Sequence, residues 1–337
     1  MSHHQLIKFE SQLQSDGFDR LPDDLILIIF NQVSDIKSLA RCRSVSKRFN
    51  SLVPLSENLL VKVDCVISSE TNEWVFVHVL KSLLQSLQDL ISPKKTSIQS
   101  QIPSSPSEIL RSFQKIKRLE IELPSGDLRL EKGTVLRWKA EFGKSLKSCV
   151  ILAVRSIDSV SVSGVNEEID RGNDDDESGL KLRVVWTISA LIAASARHYL
   201  LREVIKEHIE MESLVLRDRD GEGTVVMDKE RLREFREGGE DEEGQVSTVG
   251  WKNRTTVPAV RMRMRHVARI DLPNGVRISG ATLVIVKPAE GKKNKKSEID
   301  DLIEDKGFVD GAFEGVLGEA VGALLKTPSY LLEMNSF

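Results

Sequence analysis

Cysteine is scarce in this chain. Cys42, Cys65 and Cys149 are its three thiols, spread over more than a hundred residues with no C-x-x-C pair. That spacing disfavours both a zinc site and a disulfide framework, and it fits a reducing compartment. An excess of one charge is also missing. The 48 basic residues nearly cancel the 51 acidic ones, leaving a net charge of -3. No global field therefore directs the chain to nucleic acid or to a membrane surface, and such a role has to come from a local patch. Long apolar runs are lacking as well. The most apolar stretch beyond the N-terminal region, VVWTISALIAASA at 184–196, stops at Arg197 and His198, short of the ~20 residues a spanning helix needs. No membrane span is expected. The first residues carry neither a secretory signal nor a transit pattern. Residues 1–17 read as a flexible leader and the location as nucleus and/or cytoplasm.

What is present is the composition of a folded protein: 40% apolar and 29% charged residues over 337 positions, with room for about two domains of ~150 residues. The densest apolar text is LPDDLILIIFNQV at 21–33, where Leu25 to Phe30 form an unbroken apolar row. Pro22 suits a first helical turn, and Asp23 with Asp24 places negative charge at the positive end of the helix dipole. A helix over about 22–33 follows, with apolar side chains on every side. Ser34 or Asp35 can cap a second helix, IKSLARCRS, whose inner face is Ile36, Leu39 and Ala40. Val45, Phe49 and Leu52 mark a third, closed by Pro54. Three helices in fewer than about forty residues bury too little to stand alone. The outer side of the first must be covered by another chain or by the rest of this one.

These residues resemble the F-box, the module by which substrate receptors dock on the Skp-type adaptor of cullin-RING ubiquitin ligases. The matching positions are Leu21, Pro22, Leu25, Ile29, Val33, Leu39, Val45, Lys47 and Phe49. The departures are Ser46 where cysteine is usual and Phe49 where tryptophan is usual. The resemblance implies an F-box at 18–56 and a Skp-type adaptor as partner, with cullin reached through it. It implies adaptor contacts at Leu21, Pro22, Leu25, Ile29, Val33, Leu39, Val45 and Phe49.

Residues 57–337 read as strands alternating with helices: strands at 59–67, 117–123, 148–154, 212–218 and 281–287, and helices at 73–91 and 186–209. Short strands such as RLEIEL resemble those of leucine-rich-repeat receptors, although their spacing shares no repeat period. The fold class expected is α+β or α/β: a three-helix F-box, then a degenerate leucine-rich-repeat-like domain that binds substrate. Mobile insertions are expected near 92–108, 166–179 and 237–244, which are Ser/Pro/Lys-rich or acidic. The block at 182–227 is similar to the plant auxin-up-regulated class of F-box proteins.

In AVRMRMRHVARIDLPNGVRIS, side chains alternate so that Val260, Met262 and Met264 share one face of a strand and Arg261, Arg263 and Arg265 the other. Asn274 and Gly275 supply a hairpin turn. The arginine row reads as a solvated or internally salt-bridged face, as a grip for substrate or a small acidic ligand, or as a nucleic-acid contact. The last is disfavoured because aromatic residues do not interleave with it. KKNKK at 292–296 reads as a solvated loop or an import signal.

No cofactor, metal or catalytic motif is found. His198 and His208 lie ten residues apart without a thiol or paired carboxylates beside them, and GEGT at 221–224 lacks a dinucleotide loop's third glycine. The expectation is a substrate-recognition subunit of an SCF-type ubiquitin ligase, with no chemistry of its own and an unknown protein target. A scaffold that holds the adaptor without cullin is the alternative.

Overall fold

In a computed structural model of the chain, residues 17–63, 110–124, 133–159, 177–237, 257–289 and 305–336 are described. The expected helix at 73–91, the insertion at 92–108, the basic run at 292–296 and nearly all of the leader lie outside them. The chain divides into two compact units, Met1–Ile121 with Glu207–Met211, and Glu122–Lys206 with Glu212–Phe337.

The smaller unit opens with three helices, α1 (Asp23–Val33), α2 (Ile36–Arg43) and α3 (Lys47–Leu52), followed by strand β1 (Asn58–Lys62). Each helix start has a local cause. Asp35 is the N-cap of α2, where its carboxylate accepts from the Ser38 backbone N–H at 2.9 Å. Ser46 caps α3 by accepting from Phe49 N–H at 3.1 Å. The serine that stands where the family usually has cysteine therefore begins a helix. Pro22 precedes α1 in extended conformation and offers no side-chain cap. Arg48 of α3 braces this start instead, donating to Asp23 at 2.6 and 2.8 Å and to the carbonyls of Leu21 and Phe18. Asn31 ties α1 to β1 by accepting from the backbone N–H groups of Glu57 and Asn58.

The larger unit is built on a sheet. Its strands are β3 (Val135–Phe142), β4 (Leu146–Val154), β5 (Ser156–Ser159), β6 (Ser213–Asp218), β7 (Gly223–Asp228), β8 (Val260–Asp271), β9 (Val276–Pro288) and β10 (Tyr330–Met334). Strand β2 (Arg118–Leu123) comes earlier in the chain and lies beside β1. The order in the larger unit is β6-β7-β3-β4-β9-β8-β10, with β5 on the flank of β9. In the larger unit, among the described residues, β3 pairs with β7 in parallel and the other registered pairs are antiparallel. Leucine-rich repeats stack parallel strands in chain order. The sheet of the larger unit is mixed and its strand order β6-β7-β3-β4-β9-β8-β10 does not follow the chain, so the α+β expectation holds and these strands are not a stack of repeats.

Helix α4 (Glu177–Leu200) crosses one face of the sheet and packs on β3, β4 and β7. It is longer than the apolar stretch at 184–196 suggested, because its first residues come from the expected acidic insertion at 166–179. By length and composition the helical region at 179–207 could cross a membrane. Its buried side, with Ala190, Leu191 and Ala194, is nevertheless part of this core. A short break after Leu200 separates it from α5 (Arg202–Glu207), so the single helix expected at 186–209 is two. Helix α6 (Lys229–Glu237) buries Leu232 and Phe235, and it includes Glu237, expected at the start of another insertion.

The opposite face, over β4, β8 and β9, is closed by α7 (Gly315–Leu324) through Ala320, Val321 and Leu324. Ile278 and Ala281 of β9 enter this same cluster although they are three residues apart. Strict alternation would put them on opposite faces. Gly280, at φ +60°, provides the kink that brings both inward.

Candidate functional site

The apolar row of α1 is divided between two environments. Ile26 and Phe30 are buried against α2 and α3, whereas Leu25, Ile28, Ile29 and Val33 are exposed, at 46, 56, 37 and 37%. Positions i, i+3, i+4 and i+8 fall on one side of a helix. The outer side of α1 is therefore a continuous apolar strip, and Phe18 and Val45 are exposed too. Soluble surfaces rarely leave such strips without a role.

Beneath the strip, Phe49 stands edge-on to two rings, Phe30 at 5.2 Å and Phe18 at 5.5 Å. T-shaped contacts of this kind add modestly to the burial energy. Among the expected adaptor contacts, Leu25, Ile29, Val33 and Val45 are exposed, as is Pro22, and Leu21 is half-buried. Leu39 is fully buried and Phe49 is 9% exposed. Their side chains fill the inside of the three-helix unit and support α1, presenting little surface of their own. Ile28, outside the expected set, is exposed beside Leu25 and Ile29, and its neighbours in the apolar row hid the period that marks it as outward-facing.

The arginine row of β8 is shared between the surface and the interior. Arg261 bridges Glu333 of β10 at 3.0 Å and is half exposed. Arg263 and Arg265 both turn to Asp305, at 2.9 and 3.4 Å, and Arg265 also donates to the Thr327 carbonyl. Asp305 is 1% exposed and has Lys287 at 3.7 Å. The salt-bridged alternative describes Arg263 and Arg265. The row as a whole is not an open acidic-ligand face, since a carboxylate of the same chain occupies its middle.

The two histidines have structural surroundings. His198 is stacked on Phe142 with ring centroids 4.4 Å apart, meets Phe235 edge-on, and has Nε2 3.1 Å from the Gly143 carbonyl. Burial pushes its pKa down to about 4. His208 is shifted down by burial too. Among the described residues no group of three His, Cys, Asp or Glu is placed to hold a metal ion. A shallow dimple beside α4, with room for about one water molecule, is lined by Arg155, Arg183, Trp186, His266 and Thr282 among others.

An F-box-like family model matches residues 18–59. Two proteins of Arabidopsis thaliana align with nearly the entire chain. F-box protein AUF2 is 50% identical over 331 residues, 96% of this chain and 100% of its own length. F-box protein AUF1 is 44% identical over 341 residues, again 96% of this chain and 100% of its own. The chain is an F-box protein. The likeness of this F-box protein to AUF1 and AUF2 extends well beyond its N-terminal helices, in keeping with the resemblance at 182–227 to the auxin-up-regulated class. No solved structure matches it.

Proposed function

We propose that this F-box protein is the substrate-recognition subunit of an SCF-type ubiquitin ligase, docking on a Skp-type adaptor through the outer face of α1. The observation that carries the reading is the strip Leu25, Ile28, Ile29 and Val33, exposed on a module whose interior is otherwise filled. Fully burying a large exposed side chain is worth ~1.5 to 3 kcal/mol, and covering the exposed part of each of these four gains about half of that, a docking energy that a polar helix could not supply. The larger unit would hold a target protein near the ubiquitin carrier. Transfer would be accelerated by proximity, with catalysis supplied by other subunits. A nuclear or cytoplasmic setting, where thiols such as Cys42 and Cys149 stay reduced, belongs to the same proposal.

The test is co-purification of the intact chain with a Skp-type adaptor and cullin, wild type against Ile28→Asp with Ile29→Asp. Both residues are on the surface, so the fold survives the change. Capture of both partners by wild type and loss in the variant is the expected result. Capture of adaptor without cullin would favour the scaffold alternative, and no capture by wild type would sink both readings.

A further inference from the structure

The larger unit has one edge prepared for a strand. β10 is the last strand in the order and pairs with β8 on one side alone. On its other side, among the described residues, none of its backbone groups meets a partner. Half of an edge strand's N–H and C=O groups point away from the sheet. Folded proteins usually blunt such edges with lysine, proline, a bulge or an inward charge. YLLEM has no lysine or proline, and its register runs without a slip from Tyr330 opposite Met264 to Met334 opposite Val260. Tyr330 and Leu331 are 43 and 53% exposed.

We propose that β10 is a docking strand, and that an extended segment of a partner protein, apolar at alternate positions and basic opposite Glu333, adds to its open edge. The occupant's conformation follows from the backbone. A row of alternating donors and acceptors is satisfied only by another extended main chain, which a helix or a small ligand cannot supply. Its chemistry follows from the side chains. Tyr330, Leu332 and Met334 share one face, so three apolar residues await a neighbour at alternate positions. Leu331 and Glu333 are on the other face, and the Glu333 side chain remains 62% exposed beside Arg261. A lysine or arginine across from it completes the pairing.

A second copy of this chain fits less well. Antiparallel self-pairing centred on Leu332 sets each Glu333 against the other copy's Leu331, and centring on Glu333 opposes two carboxylates. Identifying the segment as the target's rests on the receptor reading above; the edge itself does not.

Phage-displayed random peptides would be panned on the intact chain. Enriched sequences would be titrated by fluorescence polarisation against wild type and against Tyr330→Lys with Leu331→Lys, whose folding is checked by circular dichroism. Enriched peptides are expected to alternate apolar residues and to lose about tenfold or more in affinity for the variant. N-methylation of one alternate set of their amides is expected to abolish binding while the other set tolerates it, since only every second amide faces β10. No enrichment, equal binding to the variant, or indifference to N-methylation overturns the proposal. A concentration-dependent dimer in sedimentation velocity that the variant abolishes overturns it in favour of self-pairing. Adaptor capture, measured on the same variant, stays at the wild-type level. A wild type that binds the peptides yet captures no adaptor refutes the ligase reading alone.

Discussion

Arg197 of α4 and Asp218 of β6 form an ion pair inside the larger unit, with Nη2 2.8 Å from Oδ1 and both side chains 1% exposed. The guanidinium also lies over the Trp138 ring at 4.7 Å, and Asp218 Oδ2 accepts from Gly223 N–H at 2.7 Å. One carboxylate thus joins the long helix to the turn between β6 and β7. Asp218→Ala leaves a charged guanidinium in a dry core and is expected to cost ~3 to 5 kcal/mol. Arg197→Met with Asp218→Leu, which removes both charges, is expected to cost less than Asp218→Ala alone. Urea unfolding of the three chains checks the order.

Acid should weaken the same unit through His198. Its folded pKa is lowered to about 4, first by burial and then by the nearby Arg202 charge, with the Gly143 carbonyl opposing. The unfolded chain takes up this proton near pH 6.5 and the folded one near 4, so between those values the unfolded state binds more protons. Stability from this residue is present above about 6.5, declines as the pH falls toward 4, and totals ~3 kcal/mol. His198→Gln is expected to flatten that part of the profile, measured as unfolding free energy from pH 7 to pH 4.5.

In the F-box, inner and outer residues should separate stability from capture. Leu39→Ala empties a fully buried site and is expected to destabilise the module by ~2 to 5 kcal/mol. Ile28→Asp alters a side chain that is 56% exposed and is expected to change stability by less than about 0.5 kcal/mol while adaptor capture falls. Thermal unfolding and pull-down on the same samples distinguish the two.

Asp305 gathers Arg263, Arg265 and Lys287, with Lys287 also over the Phe308 ring at 4.2 Å. Asp305→Asn keeps the shape and removes the charge, so two nearly enclosed guanidinium groups lose their anion. A loss of about 3 kcal/mol is expected, read by guanidinium unfolding.

Local chemistry was legible in the sequence wherever it acts over a few residues. The Leu-Pro start and the apolar period of α2 reappear, Asp35 is the one of the two candidate caps that is used, and the hairpin turn falls at the expected place, centred on Pro273 and Asn274 with Gly275 at φ +76° after them. These features are decided by hydrogen bonds and dihedral preferences within a turn or two of chain. Membership of the F-box family was legible for the same reason, because its motif is short and contiguous.

Side of burial and choice of partner strand were decided only by the tertiary structure. Six consecutive apolar residues in α1 carry no periodic signal, so the packing of Phe49 and Leu39 beneath them determined that Ile26 and Phe30 face inward and Ile28 outward. The strands expected at 212–218 and 281–287 read alike as short apolar runs, and only the register of β6 with β7 and of β8 with β9 shows antiparallel pairing in place of stacked repeats. Arg263 and Arg265 looked the same as Arg261 until Asp305, some forty residues away in sequence, took their charge. Alternation along a strand specifies which side chains share a face; what that face meets is a long-range contact, and it is settled by the whole fold.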